Sequence, residues 1–296
     1  MIVNQDSIGL AFKGFKTVFT DAYLDTPTFA DQLAMTVPSS SCDETYGWMG
    51  QFPSLREWIG PRQVKNLEAH GFTIKNRKFE TTVEIGRDDI ADDRLGIFKP
   101  VFSEIGQAAR RHPEELIFGL LASGFATNCY DGQFFFDVDH PVSDADGNTQ
   151  SVSNFQGGAG TAWYLLDTSR GIRPLIWQER EKYEFQQLTR DDDDYVFTND
   201  KYLYGIRARV NAGFGLWQLA YGSKQALTAP NYAAARAAMM GLTPDGGRKL
   251  GVSPTVLVVP PTLESDALTL LNTEYATGGA SNPWKGTAKV IVTPYL

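Results

Sequence analysis

Residues 98–121 read FKPVFSEIGQAARRHPEELIFGLL, and this stretch decides the fold. Its less polar residues recur at three- and four-residue spacing, which predicts one face of a long helix. The predicted face consists of Phe98, Val101, Ile105, Ala108, His112, Leu116 and Leu120. Pro113 removes one backbone donor, but the spacing keeps its phase across it. The pattern therefore predicts one bent helix over residues 98–122, and not two helices.

Residues 1–54, ahead of this helix, are predicted to form an arm with little core of its own. Its first helix is predicted over residues 11–24. There, Phe12, Phe15 and Phe19 recur at three- and four-residue spacing. An exposed apolar stripe is unfavourable in water, so we expect the arm to lie on neighbouring copies of the chain.

Residues 55–86 are predicted to form a β-hairpin that projects from the body. Residues 79–85 alternate strictly and are rich in β-branched side chains, whereas residues 64–68 are more polar. A two-stranded hairpin is marginal in water, so an adjacent copy is expected to support it. Charges on the hairpin and at the foot of the long helix would make that contact. They are Arg62, Lys65, Arg77, Lys78, Asp88, Asp89, Asp92 and Asp93.

The chain after the long helix divides into a strand-rich block and a compact α/β unit. In residues 161–221 the predicted strands are 163–166, 174–177 and 202–206. In the final unit, helices are predicted at 232–240 and 262–271, and strands at 255–259 and 288–292.

Composition excludes several classes of function. The net charge of -8 and the absence of any basic run argue against a protein that grips nucleic acid. Cys42 and Cys129 are far apart and form no C-x-x-C pair, so two free thiols are expected and a thiolate zinc site is not. We expect no signal peptide and no membrane span.

Few residues offer chemistry. His140, with Asp137 and Asp139, would suit a metal ion, or these aspartates bond to backbone donors at a loop entrance. The run at residues 191–194 cannot converge on one ion, because successive side chains alternate in direction, and a solvated turn is expected. Arg207 and Arg209 would hold a phosphate, pair with carboxylates across a subunit boundary or meet solvent. No phosphate loop or nucleophile elbow is present. These absences favour a chain that binds copies of itself.

Several motifs, in order and spacing, are similar to a known family. Among them are Leu55-Arg56-Glu57-Trp58-Ile59-Gly60, Cys129-Tyr130-Asp131-Gly132-Gln133 and Asp245-Gly246-Gly247-Arg248-Lys249-Leu250-Gly251. From about residue 29 to residue 296, the chain resembles the Mu-like bacteriophage major head (major capsid) protein family.

The resemblance implies an α+β, HK97-like phage capsid fold. Its parts would be an N-terminal arm at 1–54, an extended β-hairpin loop at 55–86, a peripheral domain at 87–223 that contains the spine helix 98–122, and an axial α/β domain at 224–296. In many relatives the last peripheral strand ends the chain. Here the strand-rich block comes before the axial unit, which implies a permuted connection.

The function implied is self-assembly, as hexamers and pentamers, into an icosahedral head shell that encloses phage DNA without binding it specifically. The implied partners are a scaffold or protease, a portal and a decoration protein. The location would be the virion, assembled in the host bacterial cytoplasm, with no cofactor, membrane contact or enzymatic activity. Two alternatives stay open: a nanocompartment shell of the same fold, and a metal-dependent hydrolase using Asp137, Asp139 and His140.

Overall fold

The computed structural model describes residues 5–49, 71–92, 94–144, 146, 148–243, 249–276 and 279–296. Residues 64–68, the predicted first half of the hairpin, lie outside the described residues, as do the candidate contact residues Arg62, Lys65 and Asp93.

The described helices and strands form an α+β fold in which groups of helices and groups of strands follow one another. The helices are α1 (Gln5–Asp25), α2 (Ala30–Leu33), α3 (Arg87–Ala91), α4 (Leu95–Ser123), α5 (Asp194–Asn199), α6 (Ala229–Gly241) and α7 (Glu264–Asn272). The strands are β1 (Ala34–Pro38), β2 (Asp43–Tyr46), β3 (Phe72–Lys75), β4 (Arg77–Gly86), β5 (His140–Ser143), β6 (Thr149–Val152), β7 (Trp163–Leu166), β8 (Leu175–Leu188), β9 (Lys201–Phe214), β10 (Ala220–Ser223), β11 (Val256–Val259) and β12 (Lys289–Val292). Short 3-10 turns occupy Trp217–Leu219 and Pro261–Leu263.

The predicted single long helix is confirmed as α4, which continues through Pro100 and Pro113. The face it buries is different from the predicted one. Val101 and Ala108 are exposed, and the buried side chains lie about one position further along. They include Phe102, Ile105, Ala109, Pro113, Ile117, Phe118 and Leu121. The helix carries two apolar stripes, and the stripe with the larger aromatic and aliphatic side chains faces the core because it removes more apolar surface from water.

Four strands form a sheet in the order β1-β8-β9-β4, called the long sheet here. β1 pairs with β8 in parallel, and the other two pairings are antiparallel. The strand predicted at residues 79–85 is confirmed as β4. It pairs with β9 along its whole length, while β3 pairs with β2. The support that the sequence analysis expected from an adjacent copy is supplied for residues 77–86 by β9 of the same chain.

The arm has a core within its own chain, contrary to the sequence-based expectation. Phe15 and Phe19 are buried, and the ring of Phe15 stacks on that of Phe102 at 4.2 Å. Helix α1 lies so close to α4 that a Cβ at Gly106 would come within 2.4 Å of the carbonyl oxygen of Phe19. The sequence did not reveal this, because the partner rings are distributed over α4, β8 and β9, far along the chain.

The second sheet, called the short sheet, has the order β10-β7-β11-β12. Helices α6 and α7 pack on it, and its strands and helices confirm the elements predicted for the C-terminal unit. The sheet also takes in β7 and β10, which precede residue 224. A bilayer-spanning helix is not found in the part of the chain that the structure describes.

Candidate assembly surface

The predicted contact residues lie at opposite ends of β4. Arg77 and Lys78 begin the strand, and Asp88 and Asp89 follow its last residue. Its ten residues extend about 33 Å. The basic and acidic groups therefore cannot meet within one chain, and each group remains available to another copy.

The basic end of β4 has no carboxylate partner among the residues that the structure describes. Arg77 and Lys78 are exposed, and neither forms an ion pair with another described residue. The Arg77 guanidinium lies over the Phe79 ring, 5.1 Å from its centroid. Burial, and then the positive charge of Arg77, lower the pKa of His112 below its usual value. Two positive charges are thus presented to solvent.

The acidic end of β4 combines residues of α3 with residues of the turn ahead of α5 and with the residue that follows α5. Arg87 bridges two of these segments, with nitrogens 3.1 Å from Asp191 and 3.4 Å from Asp200. Arg94 lies 3.5 Å from Asp89 and 4.0 Å from Asp92, and both contacts are exposed. The described aspartates here are Asp88, Asp89, Asp92, Asp191, Asp192, Asp193, Asp194 and Asp200. They outnumber the neighbouring cations Arg87, Arg94, Arg190 and Lys201, so this end keeps a negative charge.

The middle of the long sheet is neutralised within the chain. Arg207 and Arg209 each place a nitrogen 3.3 Å from the carboxylate of Glu181. The sequence analysis expected any carboxylate partner of these arginines to lie across a subunit boundary, whereas the partner found, Glu181, belongs to the same chain.

The aromatic residues predicted to contact other copies differ in how far they are buried within their own chain. Phe15 and Phe19 are buried, whereas Phe12 is half-buried and stacks on Phe185 at 5.4 Å. A large apolar residue that sequence reasoning missed is Phe197 on α5, which is 81% exposed at the acidic end. The sequence does contain an indication of its exposure, because this aromatic residue comes soon after a run of aspartates and has no pattern of core residues around it.

The proposed metal set of Asp137, Asp139 and His140 does not converge. The Asp137 carboxylate accepts hydrogen bonds from the backbone N–H groups of Val138 (2.7 Å) and Phe134 (3.2 Å), and Asp139 is exposed. Asp137 therefore follows the second alternative, in which the aspartates bond to backbone donors at a loop entrance. His140 is fully buried and points elsewhere.

His140 instead meets Cys129 and Asp131, whose ligand atoms lie with its own within 4.8 Å of one another. His140 Nδ1 is 2.7 Å from Asp131 Oδ2, and the Cys129 thiol donates to Asp131 Oδ1 over 3.0 Å. Two ligands of one tetrahedral zinc ion would lie roughly 3.4 Å or more apart. These contacts are therefore hydrogen bonds, and the arrangement is a buried polar network.

Asp131 is the ionised member of this network. Burial acts to raise its pKa, but the hydrogen bonds from His140 and Cys129 outweigh that effect and hold the pKa below its usual value. A carboxyl with a lowered pKa stabilises the fold at neutral pH. That contribution is lost as the pH falls through the folded-state pKa.

Comparisons with known proteins agree on one family. The family model of the Mu-like prophage major head subunit gpT matches residues 8–296. The major capsid protein of Escherichia phage Mu is 44% identical over 305 residues, which cover 100% of each chain. A chain of the procapsid of bacteriophage JBD30 superposes with a TM-score of 0.89 and 45% identity, covering 99% of this chain and 100% of that one. In the JBD30 capsid decorated with minor capsid protein trimers, the values are 0.73, 34%, 91% and 90%.

Proposed function

The chain belongs to the family of the Mu-like prophage major head subunit gpT, and from that membership we propose how its copies contact one another. It is a major capsid protein with an HK97-like fold, and its copies form the shell of the head. The matching family model and relative are phage head subunits, which favours the head shell over the nanocompartment alternative. The hydrolase alternative has no support in the geometry of Asp137, Asp139 and His140.

The proposed contact joins the basic end of one copy to the acidic end of the next. Arg77 and Lys78 would meet Asp88, Asp89 and Asp92 of a neighbour. The observation that carries this proposal is the separation of these charges to opposite ends of β4, where Arg77, Lys78, Asp88 and Asp92 are exposed and Asp89 is half-buried. A head-to-tail contact of this kind closes into rings, as hexamers and pentamers require. Each exposed pair contributes only about 0–1 kcal/mol, but a shell repeats it in every ring.

Residues outside the described part of the chain complete the proposal. Arg62 and Lys65 would extend the basic surface, and Asp93 the acidic one. In the arm, only Phe12 is kept as a proposed contact residue. Phe15 and Phe19 are dropped because they are already buried within their own chain.

The wider setting is proposed from the family. The regions would be an arm at 1–54, an extended loop at 55–86, a peripheral domain at 87–223 and an axial domain at 224–296. The sheet of the axial domain also contains β7 and β10. A scaffold or protease, a portal and a decoration protein would act with the shell. Minor capsid protein trimers decorate the JBD30 relative. Assembly would take place in the host bacterial cytoplasm, and the net charge of -8 suits a shell that encloses DNA without binding it.

The test is a charge reversal, Arg77→Glu with Lys78→Glu. The subunit should unfold at the same denaturant concentration as the parent, because both side chains are exposed. Assembly, followed by light scattering and electron microscopy, should fail at low salt and improve as added salt screens the repulsion. The matched control is Lys99→Glu with Lys285→Glu, which changes the charge equally at exposed positions elsewhere.

A second pair of substitutions sharpens the test. Asp88→Lys with Asp92→Lys, added to the reversed basic end, should restore assembly at low salt. Assembly of the first double variant as complete as that of the control, at low salt, would refute the proposed contact.

A further inference from the structure

The orientation of one buried amide determines where a proton lies. Asn154 is fully buried, and its Nδ2 faces the carbonyl oxygens of Phe135 (2.7 Å), Ala220 (3.3 Å) and Trp217 (3.4 Å). Only the amide nitrogen can donate to carbonyl groups, so the amide cannot be flipped. Asn154 Oδ1 must then be an acceptor, and it lies 2.9 Å from the backbone nitrogen of Asp137 and 3.2 Å from His140 Nε2. His140 Nε2 therefore carries a hydrogen.

The other ring nitrogen of His140 faces a carboxylate. Nδ1 lies 2.7 Å from Asp131 Oδ2, and Oδ1 of the same carboxylate accepts from the Cys129 thiol and from the backbone N–H of Gln133. Two lone pairs cannot approach to 2.7 Å without a proton between them. The other oxygen of the carboxyl already accepts two hydrogen bonds, from the Cys129 thiol and from the backbone N–H of Gln133, and these favour the ionised carboxylate, so the proton belongs to the ring.

We propose that His140 is a buried imidazolium, held between Asp131 and Asn154 and stacked on Trp217. These four residues are the His140 cluster. The two rings are nearly parallel at an interplanar angle of 9°, with centroids 3.9 Å apart, which places the cation on the face of the indole. A buried charge needs a partner and satisfied hydrogen bonds, and the cluster provides both.

The charge joins four segments that are separate in sequence. Asp131 lies in the turn region after α4, His140 begins β5, Asn154 follows β6, and Trp217 begins the 3-10 turn before β10. The one other titratable group in the network, the Cys129 thiol, stays neutral because burial, and then the charge of Asp131, raise its pKa. The His140 cluster therefore holds residues from all four segments together around one buried charge.

Histidine-selective 15N labelling of the full-length protein tests this directly. In a His70→Gln, His112→Gln background, His140 is the only histidine. Solid-state NMR of the sedimented protein at neutral pH is expected to show both of its ring nitrogens bonded to hydrogen. A ring nitrogen without hydrogen at that pH would overturn the proposal.

A substitution of the counter-charge gives the second measurement. In Asp131→Asn, the ring should lose one proton at the same pH, so that one nitrogen–hydrogen signal disappears. In the control Asp139→Asn, an exposed neighbour, both signals should remain. If the ring stays doubly protonated in Asp131→Asn, the carboxylate is not its partner and the proposal is wrong. If that variant does not fold, the spectrum of the parent decides alone.

Discussion

The long sheet and the short sheet use the same kinds of residues in opposite ways. In the short sheet, β7, β10 and β11 are four residues long and every residue in them is buried. In the long sheet, β8 and β9 have 14 residues each, and β4 and β9 alternate between more and less exposed positions. Burial along β8 also falls from its first four residues toward the acidic end.

The difference shows how one chain combines a sheet that is packed in its own core with a sheet that keeps a surface for contacts with other copies. A strand buried on both faces can only pack, whereas an alternating strand keeps one face for another partner. Those charges proposed for assembly that the structure describes lie on or beside the long sheet, and the buried His140 cluster lies beside the short one. Substitutions in the two regions should therefore have different effects, and three of them test the comparison.

The largest effect is expected for Phe15→Ala in the arm. Phe15 fills the space between Phe102 and Tyr204, and removal of a buried aromatic ring costs about 3–5 kcal/mol. Urea unfolding of the subunit should show this loss. Phe197→Ala, which removes an 81% exposed ring from the same region, should change stability by less than about 0.5 kcal/mol. Equal stabilities for the two variants would mean that the arm does not dock on its own chain.

A smaller loss is expected for Gly106→Ala on α4. The new Cβ would collide with the backbone of α1 at Phe19, and a forced shift of this kind costs about 1–3 kcal/mol. Gly119→Ala on the same helix meets nothing within 4 Å, so it should stabilise the subunit by up to about 1 kcal/mol. Thermal unfolding of the two variants should shift in opposite directions. A shift of both in the stabilising direction would contradict the close approach of α1 to α4.

The smallest effect is expected for Thr228→Ala, beside the short sheet. Its side-chain oxygen accepts a hydrogen bond from the Asn231 backbone at the start of α6, and loss of such a cap costs about 1 kcal/mol. Thr17→Ala removes a similar side chain from an exposed position within α1 and should not destabilise. Denaturant titration of both variants would show whether the cap contributes, and equal midpoints would show that it does not.

The sequence predicted elements better than it predicted surfaces. Helix α4 and the strands of the C-terminal unit followed from local spacing and from β-branched runs, which depend on neighbours in sequence. The buried face of α4 did not, because Val101 and Phe102 belong to competing stripes and the choice depends on α1. The partners of Phe15, and of β4, lie far along the chain, where no local pattern can indicate them.

The candidate sites show the same limit. His140 was singled out, but its neighbours Asp137 and Asp139 were chosen by sequence proximity, whereas the fold brings in Asp131 and Asn154. The charges at Arg77 and Asp88 were predicted, but their distance from each other depends on the length of β4 as an extended strand.

The parallel pairing of β1 with β8 sets the timing of folding during synthesis. Ala34 pairs with Leu175. Phe12 and Phe19 stack on Phe185, and Phe15 contacts Tyr204, so these partners are synthesised much later than the arm. At typical translation rates, roughly ten to thirty seconds separate the emergence of the arm from that of its partners. Phe102 on α4 emerges before the rings of β8 and β9, so it is the first aromatic residue that can cover Phe15. Until Phe185 and Tyr204 emerge, the rest of the aromatic stripe lacks these partners and is exposed to other nascent chains on the same messenger.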